Sequence, residues 1–268
     1  MNKVKDILVI DDEQVIIDAV IKICSLDNYT VDSAINFKDA LDKISKNYYP
    51  IVLCDIMMPD GNGFQVLEEL RNKKVVSTVI MTTGYSTVEN AVNSLYNGAV
   101  DFIPKPFTVD ELLSSLYRAN KYQKLRDRQK VLSLQKNTDE ILYVNCPTKY
   151  YRLGYSSWMV LDREGSVLVG VCDLFIKTFE SVREIELQNV DDEIAQGICC
   201  VSFTSVADRV HKLLAPISGR IVEVNTNLTA NPNLVEKDPF FEGWIYRIIP
   251  ANYDYEVNHL IPCSSDRL

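Results

Sequence analysis

The sequence predicts two folded units in series. An α/β unit built on a doubly wound parallel sheet comes first, and a smaller β-rich unit follows. Two patterns predict this. Up to about residue 120, short apolar runs alternate with amphipathic stretches, the signature of βαβ units with helices on both faces of a parallel sheet. From about residue 141, β-branched runs separated by turn signals replace the helical periodicity. The length agrees, since 268 residues make about two domains.

Taken in order, the apolar runs of the first unit fall at 7–10, 29–31, 51–54, 75–81 and 100–103. Each is bounded by turn or acidic residues and followed by a helix-like stretch, and right-handed crossovers then fix much of the topology. Residues 120–137, NKYQKLRDRQKVLSLQKN, contain no Pro or Gly and are rich in Lys, Arg and Gln. They are predicted to prolong a helix that begins near Val109. Leu112, Leu116, Leu125 and Leu132 form a broken apolar seam. That seam leaves two readings, a helical linker or a coiled-coil dimerisation surface. The basic residues read as a solvated helix face. In the second unit the strand-like runs are SVLVGV, EIELQ, GICCVSF and GRIVEV. The expected division is 1–122 for the first domain, 123–140 for a helical linker, 141–258 for the second domain and 259–268 for a tail.

Composition excludes several classes of function. Hydrophobic residues at 47% and charged residues at 24% exclude a disordered chain. No stretch of about 20 apolar residues offers a membrane span. The first apolar run meets Asp11, Asp12 and Glu13 too soon for a signal peptide. A net charge of −9 argues against nucleic acid as a partner. The seven Cys contain no CxxC pair, which argues against zinc, and they read as reduced thiols of a cytoplasmic protein.

Five residues of the first unit carry chemistry. Asp11 and Asp12 follow the first strand-like run, Asp55 ends the third, Thr83 follows VIMT and Lys105 follows DFIP. In an open α/β sheet the carboxyl ends of the strands are where ligands bind. Three carboxylates converging there repel one another unless a hard divalent cation is present, and Mg²⁺ suits oxygen donors. A carboxylate could then attack a phosphoryl group whose oxygens are neutralised by the cation and by Lys105.

The segments ILVIDDE, IVLCDIMMPDGNGFQVL, VIMTTGYS and GAVDFIPKPF resemble the receiver domain of two-component response regulators over residues 1 to about 120. The resemblance implies a (βα)5 flavodoxin-like fold with Asp55 as phosphoacceptor and Asp11, Asp12, Asp55 and the backbone carbonyl of Met57 as Mg²⁺ ligands. It further implies Thr83 and Lys105 as phosphoryl-binding groups and Phe102 as an aromatic switch. A histidine kinase or phosphotransfer protein would be the phosphodonor. A homodimer would form on phosphorylation, through the helix after Gly84 and the strand around Phe102, with the linker helix carrying the change onward. The chain would act as a phosphoacceptor, with at most self-phosphorylation and self-dephosphorylation.

The segments YSSW, GSVLVGVCDLF, EIELQNVDDEIAQG and APISGRIVEVNTNLTANPNLVEKDPFFEGWIYRI resemble the glycine cleavage system H-protein, a lipoyl-carrier fold of the barrel-sandwich hybrid type. In that family the lipoylated Lys stands at a hairpin tip eight residues before a Pro, and the position here is Asp208. A carboxylate cannot form the lipoyl amide, so no lipoyl group is expected. Lys212 and His211 read as surface residues, and Cys199 and Cys200 as one outward and one core-facing strand residue. The second domain would act by binding an output protein whose identity the sequence does not give. The alternatives are a carrier that uses Lys212 in a shifted register, or a scaffold whose receiver is never phosphorylated.

Overall fold

The computed structural model describes residues 5–85, 87–135 and 140–267. The first unit contains β1 (Ile7–Ile10), α1 (Gln14–Leu26), β2 (Val31–Ala34), α2 (Phe37–Lys46) and β3 (Ile51–Asp55). It continues with α3 (Gly63–Asn72), β4 (Thr78–Thr83), α4 (Val88–Tyr96), β5 (Asp101–Pro104) and α5 (Val109–Gln135). The strands pair in parallel in the order β2-β1-β3-β4-β5. Both β3 and β4 are buried at every residue, because strands flank them and helices cover both faces.

Alternation along the strands divides the core into two layers. Leu8, Ile10, Val52, Cys54, Val79 and Met81 pack with Ala40 and Ile44 of α2 and with Val66 and Leu70 of α3. Ile7, Val9, Leu53 and Ile80 face the other way, onto Ile17 and Val20 of α1 and Leu112 and Leu116 of α5. The structure shifts two expected strands. β2 begins at Val31 rather than 29, and β4 runs from Thr78 to Thr83 rather than over 75–81. Val75 instead donates its N–H to Leu70 at the end of α3, while Thr82 and Thr83 gain ladder partners from β3 and β5. Hydrogen bonding to neighbouring strands, rather than local apolarity, sets those ends.

The second unit contains β6 (Tyr151–Leu153), β7 (Ser157–Leu161), β8 (Val167–Val171), α6 (Asp173–Ile176) and β9 (Val182–Leu187). Then come β10 (Glu193–Ile194), β11 (Cys199–Ser205), β12 (Val210–Leu214), β13 (Gly219–Val224), β14 (Tyr246–Pro250) and β15 (Ile261–Pro262). An antiparallel sheet ordered β10-β13-β14-β8-β7-β6-β15 faces a three-stranded sheet ordered β9-β11-β12. Their shared core holds Trp158, Phe203, Leu213, Ile221, Tyr246 and Ile248. The polar tips of the large rings are satisfied inside it: Trp158 Nε1 donates to the Pro239 carbonyl at 3.1 Å and Tyr246 Oη to the Cys200 carbonyl at 2.9 Å. The expected tail is not free, because Ile261 and Pro262 pair with β6 and close the sheet edge.

The two units touch extensively. α5 is one helix of 27 residues running out of the first unit, as the composition of 120–137 predicted. The last linker residues, 136–139, lie outside the described residues. Leu112 and Leu116 are spent in the core of the first unit, so the coiled-coil seam lacks its first half. Val92 and Leu95 of α4 are embedded in the apolar core of the second unit. The surface of α4, part of the face where dimerisation was expected, is therefore covered by the second unit of the same chain.

Candidate functional site

At the carboxyl edge of the parallel sheet, Asp11 follows β1, Asp55 ends β3, Thr83 ends β4 and Lys105 follows β5. The sheet order places β1, β3 and β4 side by side, so residues distant in sequence meet there. Carboxylate oxygens of Asp11, Asp12 and Asp55 lie within 4.8 Å of one another, with Asp12 exposed and the other two buried. Lys105 Nζ reaches Asp11 Oδ2 at 2.7 Å and Asp55 Oδ2 at 2.8 Å. The Met57 N–H donates to Asp55 Oδ1 at 3.3 Å, which fixes residue 57 beside the acid.

The electrostatics of the site call for a cation. Burial pushes the Asp11 carboxyl above its usual range, and hydrogen bonding and attraction from Lys105 offset this only in part. For Lys105, burial works against its charge, but the hydrogen bonds it donates to Asp11 and Asp55 outweigh this and hold its pKa above the ordinary value. The clustered carboxylates outnumber the one ammonium, so the site is net negative. An all-oxygen donor set with that charge fits a hard divalent ion such as Mg²⁺.

Thr83 is fully buried, and its hydroxyl accepts the Tyr85 N–H at 3.1 Å. Lys105 N donates to the Thr83 carbonyl at 2.8 Å, tying the ends of β4 and β5 together. Phe102 is half-buried against the α2/α3-side core layer, and it also lines a cavity of about 460 Å³ between the two units. Two contributors escaped the sequence reading. Glu13 places a carboxylate 3.8 Å from Lys105. Gly63 starts α3 against the acid, where a Cβ would stand 2.5 Å from the Asp55 carbonyl oxygen and 2.6 Å from Met81 Cε. The signal for Gly63 was present in PDGNGF, but only the packing shows which glycine approaches the site.

In the second unit, Asp208 stands at the tip of the β11–β12 hairpin with φ 59° and pairs with Arg183. That tip is the place implied for the carrier Lys. Lys212 lies within β12 and donates to Glu111 of α5 at 2.6 Å. His211, expected at the surface, is fully buried. It stacks on Phe179 at 4.1 Å and accepts from Arg118 Nη1 at 2.9 Å. The correction has a physical cause: His211 shares the buried face of β12 with Leu213, where the Phe179 ring and the Arg118 guanidinium meet it. Cys200 is buried and Cys199 partly exposed, as strand alternation predicted.

The family model for the response regulator receiver domain matches residues 7–117, and that for the glycine cleavage H-protein matches residues 149–264. Among curated proteins, the transcriptional regulatory protein DltR of Streptococcus agalactiae is 38% identical over 123 residues, covering 42% of this chain and 55% of DltR. The chain thus spans about half the length of that relative. Among solved structures, a CheY-like receiver domain protein from Methanospirillum hungatei is 33% identical, covering 45% of this chain and 96% of its own, with a TM-score of 0.43. A glycine cleavage system H protein from Mycobacterium marinum is 27% identical, covering 39% of this chain and 86% of its own, with a TM-score of 0.37. With both family models matched and the parallel and antiparallel sheets each in place, residues 7–117 form a response regulator receiver domain and residues 149–264 an H-protein-like domain.

Proposed function

We propose that the chain is the response regulator of a two-component phosphorelay, phosphorylated on Asp55 by a histidine kinase or phosphotransfer protein. The observation that carries this reading is Lys105, whose ammonium bridges Asp11 and Asp55 at 2.7 and 2.8 Å in a cluster of three carboxylates. Asp55 supplies the attacking oxygen, and the new P–O bond forms as the donor's bond to phosphorus breaks. Asp11, Asp12, Asp55 and the Met57 carbonyl would hold Mg²⁺, which neutralises charge on the transferring group. Lys105 turns from carboxylate partner to phosphoryl partner. The Thr83 hydroxyl hydrogen-bonds the new oxygens, and Phe102 responds as the switch.

Output passes through the H-protein-like domain, which acts by binding a protein rather than by carrying a lipoyl group. Asp208 at the hairpin tip supports this, since its carboxylate offers no amine to acylate. The proposed division is a receiver over 1–122, a helical linker over 123–140 and the H-protein-like domain thereafter, in a cytoplasmic protein. No described helix is long and apolar enough to cross a membrane. A phosphorylation-dependent homodimer through α4 and β5 would require that face to be uncovered first. Incubating the full chain with a small phosphodonor and Mg²⁺ tests the reading. One phosphoryl group should add to the intact mass of the parent and none to Asp55→Ala, and labelling of Asp55→Ala at the parental level would overturn it.

A further inference from the structure

We propose that Cys146 and Cys172 are a redox-modification site, closing a reversible disulfide when a hydroperoxide reaches them and so fixing the entry to the H-protein-like domain. The inference stands apart from the phosphoacceptor reading. The two thiols come from separate stretches of chain, and their sulfurs lie 3.5 Å apart in a buried contact. A disulfide needs about 2.05 Å between sulfurs, so the pair must close by about 1.5 Å. Cys172 is held in place. Its N–H donates to the Ser156 carbonyl at 2.8 Å, and its carbonyl accepts from the N–H groups of Phe175 and Ile176 in α6. Cys146 lies in the stretch 143–147, which is neither helix nor strand, so it is the partner that can move.

A cavity of about 270 Å³ gives access to the pair. Both cysteines line it, together with Asn145, Arg152 and Tyr155. A small hydroperoxide fits there, and the Arg152 charge favours a thiolate at Cys146. Cys263 is a third thiol, hydrogen-bonded with Cys146. A metal cage does not account for the three. Among the described residues, only Asp11, Asp12 and Asp55 bring three such ligand atoms within 4.8 Å of one another. Cys146 is therefore the shared partner of two thiols. Core packing does not account for the group either. Cys24 and Cys54 each pack singly in a layer of the first core, whereas these thiols meet at a cavity with an arginine on its wall.

With hydrogen peroxide the chemistry balances within the pair. One sulfur attacks a peroxide oxygen, the O–O bond breaks, and the departing oxygen takes the thiol proton and a second proton from solvent as it leaves as water. The sulfenic acid that remains deprotonates no further, because the second sulfur attacks it, the S–O bond breaks, and the hydroxyl leaves with a proton as a second water, returning the proton that solvent lent. The two sulfurs lose two electrons and the peroxide takes them. Hydrogen bonding to Cys172, with burial adding to it, raises the Cys146 thiol well above its ordinary value. Little thiolate is present at neutral pH, so the site answers sustained rather than brief exposure. A low-molecular-weight thiol reverses the bridge by exchange. The bridge ties the segment entering the second unit to the junction of β8 and α6. It lies beside the bond that the Val144 N–H already makes to Asp173 Oδ2 at 2.7 Å, and so restrains a stretch held until then by hydrogen bonding and packing.

Peptide mapping of the full chain after hydrogen peroxide, with remaining thiols alkylated under denaturing conditions, tests the site. The expected product is a peptide pair joined through Cys146 and Cys172, lighter than the reduced pair by two hydrogens and separated by dithiothreitol. Cys24 and Cys54 should be alkylated in the same sample. Amide exchange over 143–153 should slow by about tenfold in the bridged protein, as expected when local opening is restrained. Cys146→Ser should leave Cys172 and Cys263 both alkylatable. Oxidation of the exposed Met57 to its sulfoxide reports that the peroxide has acted. Unmodified thiols at 146 and 172 in that sample, or sulfinic acid there in place of the cross-link, would overturn the site. A bridge with exchange over 143–153 unchanged would overturn the fixing of the entry. A bridge between Cys172 and Cys263 in Cys146→Ser would overturn Cys146 as the shared partner.

Discussion

Lys212 Nζ and Glu111 Oε1 form an ion pair at 2.6 Å between β12 of the second domain and the first turn of α5 in the receiver. Hydrogen bonding to Lys212 is the largest of the influences that hold the Glu111 carboxyl below its usual value. Both side chains are partly exposed, so water and salt screen the attraction. A double-mutant cycle with Glu111→Gln and Lys212→Met should give a coupling of about 0.2–1 kcal/mol in chemical unfolding, shrinking as salt is added. A coupling of several kcal/mol would show that the pair is shielded from solvent.

The metal ligands should be separable from the phosphoacceptor. Asp12 is exposed and outside the reach of the Lys105 bridge, so Asp12→Ala leaves Asp55 intact while removing one anionic oxygen donor. Mg²⁺ affinity, followed by titration calorimetry, should fall, and labelling by the small phosphodonor should slow without being abolished. Unchanged Mg²⁺ affinity would remove Asp12 from the ligand set.

The lifetime of the phosphorylated form should depend on residue 57. Met57 lies beside Asp55, half-exposed, and offers only a thioether where a polar group could orient a hydrolytic water. Tyr85 is exposed on the other flank, and Gly84 leaves the approach between them open. With the two larger groups dominating, phosphate loss should be slow, lasting minutes or longer. Met57→Asn should speed it, measured as decay of the phosphorylated mass after donor removal. Equal decay in the two proteins would show that residue 57 does not control the water.

His211 gives stability a pH dependence of definite sign. Burial, with the Arg118 and Arg209 charges adding to it, pushes the imidazole down from 6.5 to about 3. The unfolded chain therefore takes up this proton first as pH falls. The contribution is fully present above about pH 6.5 and is lost progressively as pH drops toward about 3. Unfolding midpoints should decline between about pH 7 and pH 5, and the decline should be shallower in His211→Gln, which keeps an acceptor for Arg118. Parallel pH profiles would place the titration elsewhere.

The second core should depend most on its large ring. Trp158 is fully buried, 4.9 Å from Tyr150 and 6.2 Å from Phe240 between ring centres. Trp158→Ala should cost about 3–5 kcal/mol in the second domain. Labelling at Asp55 should survive, because the receiver has its own two-layered core. Loss of labelling together with folding would show that the receiver cannot stand without its partner domain.

The sequence by itself determined the strands of the receiver and the residues at their ends. Runs such as ILVI and IVLCD are buried from both sides, so their pattern is local and continuous, and Asp11, Asp55, Thr83 and Lys105 are placed simply by following them. The hairpin tip at Asp208 was placed by the resemblance to the H-protein, and the structure has Asp208 there with a positive φ. Edges were less legible. β15 was read as tail because two residues carry no periodicity and exist as a strand only by pairing with β6.

Only the tertiary structure decided what lies between the domains. His211 read as a surface residue, and only the fold supplies the Phe179 ring and the Arg118 donor that let a polar side chain sit on the buried face of β12. Val92 and Leu95 fit any amphipathic helix, and nothing local says that they complete the core of another domain. A polar residue is buried when its charge or hydrogen bond is met by a partner far along the chain. Here Asp101 on β5 and His211 on β12 meet on one guanidinium, and the fold alone brings them together.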